Sequence, residues 1–128
     1  MPLITVTVSK PKTAEFKSRV LAAVHQALVA SGVPLSDRFQ RVFELDAEDF
    51  RYDASYPDLA APRDANFVLI EILFSEGRSV KVKKKIVADA LAALAAAPLS
   101  LNPEHVMMVF KETRWENWVF GGGRFIHV

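Results

Sequence analysis

The sequence predicts an α+β protein: two tandem strand–helix–strand units forming one four-stranded sheet, with both helices on one face. Three observations predict it. Apolar residues alternate over residues 3–8 and run nearly unbroken over 67–74, as strand residues do. Each of these runs is followed by apolar positions at helical spacing. The whole pattern then recurs at an offset of about 66 residues, with Ser9-Lys10-Pro11-Lys12-Thr13 standing over Ser75-Glu76-Gly77-Arg78-Ser79. A strand–helix–strand crossover places its two strands parallel with a right-handed connection, so two units give four strands.

The first strand, residues 3–8, is rich in β-branched residues and starts directly after a proline. Thr13 is placed to cap the first helix, and Glu15 sits in its first turn. Phe16, Val20, Val24 and Leu28 repeat every four residues with Leu21 beside them, and Gly32-Val33-Pro34 ends the helix. Residues 39–45 form the second strand. Residues 46–65, rich in Asp, Pro and Tyr, read as an excursion between the halves.

Residues 67–74 open the second half. Ser79 caps a helix whose apolar face includes Val82, Ile86, Val87, Ala90, Leu91 and Leu94, and Pro98 ends it. Pro34-Leu35-Ser36 stands over Pro98-Leu99-Ser100 at an offset two residues shorter. Residues 105–110 form the fourth strand. The tail, 115–128, reads as a short hairpin with aromatic residues around Gly121-Gly122-Gly123. The expected organisation is one domain, 1–128, with pseudo-repeats at about 2–45 and 67–111. Helices on one face leave alternating Ile, Val and Leu on the other, so a second subunit is expected to cover it.

Composition narrows the function. Hydrophobic residues make up 51% of the chain and charged residues 24%, which argues for a folded protein. A net charge of +1 offers no electrostatic footprint for nucleic acid. The absence of cysteine excludes disulfides, thiolate chemistry and cysteine-ligated metals. No apolar run approaches the ~20 residues that span a bilayer. The opening Met1-Pro2-Leu3-Ile4-Thr5 lacks the features of a secretory leader, so a cytoplasmic protein is expected. His25, His105 and His127 stand far apart with no partners at ligand spacing, and no metal is expected. No Ser-His-Asp or G-x-S-x-G signal occurs. The glycine run has no Lys-Ser/Thr after it and reads as a turn, not a phosphate loop.

Pro2 is the sharpest chemical candidate. Removal of Met1 would leave a secondary amine, and an α-amine titrates near 8 in peptides, close enough to neutrality for general acid–base work. By itself Pro2 also reads as a common second residue. Arg78 precedes the Ser79 cap, where free N–H groups and the helix dipole favour an anion, and its guanidinium fork suits a carboxylate. Lys81 adds positive potential there. The run Lys81-Val82-Lys83-Lys84-Lys85 as a whole reads as a solvated basic face. Asp37 follows the first helix, either as a turn residue or as a carboxylate that positions water or takes a proton. Trp115, Trp118, Phe120 and Phe125 close a core, an interface or an apolar pocket wall.

Taken together, Pro2 opening a strand, the duplicated units, Asp37 after helix one, Gly77-Arg78-Ser79 before helix two, and Glu116-Asn117-Trp118-Val119-Phe120-Gly121 near the end resemble the tautomerase superfamily, in its malonate semialdehyde decarboxylase-like branch. The resemblance covers nearly the whole chain. It implies a homotrimer of four-stranded units, Pro2 as catalytic amine, Arg78 as carboxylate binder and Asp37 as the water- or proton-handling group. It suggests Trp118 and Phe120 as pocket walls and implies no cofactor. One departure stands out: the decarboxylase carries two arginines two positions apart in this loop, and here the first place is Glu76. A carboxylate facing the site would repel an anionic substrate, which tells against malonate semialdehyde itself and leaves the proline chemistry untouched.

Three functions follow. The first is keto–enol tautomerisation of a small 2-oxo or 3-oxo acid held by Arg78. The second is decarboxylation of a 3-oxo acid, or hydration of an unsaturated one, with Asp37 activating water. The third is a non-catalytic trimeric binding protein with a vestigial site. Neither nucleic acid nor membrane is expected as a partner.

Overall fold

The structure, a computed structural model, describes residues 1–126. Strand β1 (Leu3–Ser9) leads into helix α1 (Ala14–Ala30), and α1 into strand β2 (Gln40–Leu45). Strand β3 (Val68–Ser75) leads into helix α2 (Val80–Ala95), and α2 into strand β4 (Val106–Thr113). The sheet order is β2-β1-β3-β4. Within each half the strands are parallel, and the two halves meet antiparallel along β1 and β3.

Both helices start where the chain offers a cap. Thr13 Oγ1 accepts the Phe16 N–H at 3.0 Å, and Ser79 Oγ accepts the Val82 N–H at 3.2 Å. Each such cap stabilises its helix by about 1 kcal/mol. Alternation then decides what is buried. Ile4, Val6 and Val8 of β1 and Val68, Ile70, Ile72 and Phe74 of β3 turn to one side. There they meet Val20, Val24 and Leu28 of α1 and Ile86, Ala90 and Leu94 of α2 in one continuous core. The helices therefore cover a single face, as the repeat predicts. The opposite face carries Leu3, Thr5, Phe43, Leu69, Leu73 and Met107. Phe43 and Met107 are each 46% exposed.

The repeat extends to the packing of polar groups. Glu44 accepts the Lys12 backbone N–H and the Lys17 ammonium, both at 2.8 Å. One repeat later, Glu112 accepts the Gly77 N–H at 3.3 Å and pairs with Lys83. Each clamp ties the strand–helix turn to the last strand of its half.

Residues 46–66 contain a short 3-10 turn, Ala47–Asp49, and bring Phe50 and Tyr52 against Phe67. After β4 come another 3-10 turn, Trp115–Asn117, and an antiparallel bridge between Phe120 and Arg124. The end of the expected hairpin, at residues 127 and 128, lies outside the described residues, and so does His127. Among the described residues no helix is long and apolar enough to cross a membrane.

Candidate active site

Antiparallel pairing of β1 with β3 sets Leu3 opposite Leu73, so the start of the chain meets the end of β3. The turn after β3 holds Arg78. Helix α1 brings the chain back to the same end of the sheet, and the Ile4 N–H donates to Phe39 O at 2.9 Å where β2 begins. Met1, the 32–39 loop and Arg78 are thereby gathered at one end of the sheet. They line a cavity of about 490 Å³ together with Trp115 and Ile126.

Asp37 stands in a tight loop. Its N–H donates to Pro34 O at 3.0 Å, and the Arg38 N–H donates to Ser36 O at 3.0 Å. Asp37 Oδ2 lies 3.4 Å from the α-amine of Met1. Oδ1 is buried without a hydrogen-bond partner among the described residues. Leaving a buried carboxylate oxygen unmet costs about 1–3 kcal/mol, and such a cost marks a place where a ligand or water belongs.

Arg78 is held from behind. Nη1 donates to Ser75 O at 2.9 Å, and the guanidinium carbon lies 4.3 Å from the centre of the buried Phe74 ring. A guanidinium has donors beyond that one bond for an incoming anion. Partial burial lowers the pKa of Arg78, while the charges of Glu112 and Asp37 oppose the shift. Arginine starts so high that the cation persists at any working pH. The preceding Gly77 has φ of +115°, a conformation that side chains rarely adopt. The Glu76 N–H donates to Thr113 O at 2.9 Å. The turn presenting Arg78 is thus fastened to β4 at two successive residues.

Pro2 is buried behind Met1. Pro2 itself does not line the cavity; Met1, bonded to the Pro2 nitrogen, lines it alongside Asp37 and Arg78. The two aromatic residues expected as walls stand differently. Phe120 packs against Phe39, ring centres 6.3 Å apart, and it is Phe39 that lines the cavity. Trp118 is half-buried with its indole N–H unpartnered among the described residues, and Trp115 lines the cavity in its stead. Glu76 is outside this cavity. It lines a neighbouring hollow of about 380 Å³ with Arg114 and Glu116, and Trp115 borders both. Lys81 is exposed and lines neither. Phe39 escaped the sequence reading, though a large apolar residue directly after Asp37-Arg38 at a strand start was the available signal.

A protein-family model described as "Tautomerase enzyme" matches residues 37–121. No curated protein matches. Among solved structures, FG41 malonate semialdehyde decarboxylase inhibited by 3-bromopropiolate is 27% identical with a TM-score of 0.86, covering 96% of this chain and 92% of that one. A malonate semialdehyde decarboxylase described with decarboxylase and hydratase activities is 26% identical at the same TM-score, covering 96% and 93%. A fused 4-OT symmetric trimer is 22% identical with a TM-score of 0.74, covering 95% and 94%, and shares the fold.

Proposed function

The chain belongs to the tautomerase enzyme family, and on that premise we propose a cofactor-independent tautomerase whose Pro2, freed by removal of Met1, moves a proton on a small oxo carboxylic acid. The observation that carries the reading is the convergence of Met1, Asp37 and Arg78 on one cavity, with Pro2 next in the chain. The Arg78 guanidinium binds the substrate carboxylate. The Pro2 amine takes the enol hydroxyl proton, and its ammonium form delivers a proton to the neighbouring carbon, giving the ketone. Phe39, Trp115 and Ile126 keep water from the amine. The chain assembles as a homotrimer through the open face of its sheet.

A second reading is supported by the unpartnered Asp37 Oδ1 and by likeness to the malonate semialdehyde decarboxylases. In it Asp37 takes a proton from water that adds to an unsaturated acid, or the site decarboxylates a 3-oxo acid. Arg78 then steadies the charge that develops on the substrate. The position of Glu76, outside the cavity in one protomer, removes one objection to an anionic substrate.

Ketonisation of phenylenolpyruvate tests the first reading. Intact mass is expected to show Met1 removed. Pro2→Ala is expected to lose about a hundredfold in kcat/KM, within the range of general acid–base catalysis. A variant as active as wild type overturns the reading. Asp37→Asn separates the two, because tautomerisation survives it and hydration falls about a hundredfold to a measurable residue.

A further inference from the structure

The pseudo-repeat contains its own control. A polar contact present in both halves serves the fold, as the paired clamps at Glu44 and Glu112 do. The contact made by His25 has no such counterpart. His25 of α1 is 1% exposed, and its Nε2 lies 2.8 Å from Leu35 O. A carbonyl only accepts, so the ring proton is on Nε2 and donates. Nδ1 is buried with no partner among the described residues. The matching residue in α2 is Leu91, and the residue matching Asp37 is Leu101. Histidine and aspartate thus occur together in one half, and leucine replaces both in the other.

We infer that His25 is a positioning residue for Asp37, holding the 34–38 loop through the Leu35 carbonyl so that the carboxylate meets the cavity. The inference rests on the reading of Asp37 as a proton-handling group. The loop has little else to hold it there. The side chain of Leu35 is 73% exposed, so packing does not fix that residue. The bonds at Asp37 and Arg38 run within the loop and shape it without attaching it to the helix. Val33 is buried before the loop, and Gln40 Nε2 reaches Leu21 O of α1 at 2.8 Å after it. His25 grips the midpoint between these anchors. An imidazole with an unmet Nδ1 is a costly choice for a helix core where leucine fits at the matching place.

The test compares His25→Leu, His25→Gln and wild type, each also with Asp37→Asn. Leu91 shows that leucine suits this helix position, and glutamine can restore a donor near Nε2. Amide exchange at Asp37 and Arg38 reads the loop directly. It is expected to quicken about tenfold in His25→Leu, the equivalent of one hydrogen bond of about 1.4 kcal/mol, and to return toward wild type in His25→Gln. For hydration of an unsaturated 2-oxo acid, 2-oxo-3-pentenoate, kcat is expected to fall about tenfold in His25→Leu with KM little changed. No further loss is expected when Asp37→Asn is already present. Unchanged exchange, or equal losses with and without Asp37, overturns the inference. Altered exchange with an Asp37→Asn enzyme of full activity leaves His25 as the loop's anchor and removes the proton-handling role of Asp37 instead.

Discussion

The α-amine of Met1 lies 3.4 Å from Asp37 Oδ2, with the two side chains only 12% and 10% exposed. The first residue therefore occupies the cavity that the substrate needs and neutralises the carboxylate proposed to handle protons. Its peptide bond also ties up the Pro2 nitrogen, and an amide nitrogen is no base.

Retention of Met1 is thus expected to abolish activity, not merely to weaken binding. Protein made with methionine removal inhibited should turn over phenylenolpyruvate at least a hundredfold more slowly than processed protein. Activity should return on trimming with an aminopeptidase. Equal activity in the two forms, identified by intact mass, would contradict the proline mechanism.

Arg78 is expected to act through its fork as well as its charge. Charge-assisted bonds are worth about 1.5–3 kcal/mol each, so Arg78→Ala should lose roughly two orders of magnitude in kcat/KM. Arg78→Lys keeps the charge, but it loses the fork and the stacking on Phe74, and about a tenfold deficit is expected, mainly in KM. Steady-state kinetics on a panel of oxo acids and their uncharged esters checks this. The esters should be indifferent to the substitution.

Local signals in the sequence were strong where a single residue decides a local event. Thr13 and Ser79 cap the helices they precede, and Phe16 to Leu28 trace the helical face that packs. The duplication was legible because Arg78 and its turn recur in register with Lys12. What the chain hid was the choice among similar residues in irregular segments. Trp115, not Trp118, borders the cavity, because a 3-10 turn and one bridge aim the tail, and neither has a period to read. Lys83 sat in a run read as a solvated face, yet it reaches across to Glu112 on β4. His25 had no partner nearby in sequence, since its partner is a backbone carbonyl and carries no residue-type signal.

The Glu112 clamp predicts a sign for acid stability. The Lys83 ammonium, hydrogen-bonded to Glu112, holds its pKa below the ordinary 4.5, with help from the Gly77 N–H and from Arg78. A carboxylate whose folded pKa is depressed stabilises the fold above its unfolded pKa, and the contribution disappears as pH falls through the folded value. Tm of Glu112→Gln should therefore lie below wild type near neutrality, and the gap should close as pH falls below the ordinary carboxyl value of 4.5. Salt should narrow it as well. A gap that widens on acidification would contradict the clamp.

The open face of the sheet yields the last prediction. Phe43, Thr7, Leu69 and Met107 fall in one row across all four strands, matched by the strand registers. A second row runs through Arg41, Thr5, Glu71 and Val109, with Lys111 paired to Glu71 at 2.7 Å. Half-exposed apolar side chains flanked by paired charges suit a surface that another copy of the chain covers. Leu69→Glu places an unpaired carboxylate in the middle of the apolar row while leaving the helix-covered core untouched. Burying it across an interface is costly, so wild type should sediment at about three times 14.2 kDa and Leu69→Glu as a monomer. The wild-type Tm should rise with protein concentration and that of the variant should not. A wild type that stays monomeric at every concentration would contradict self-association through this face.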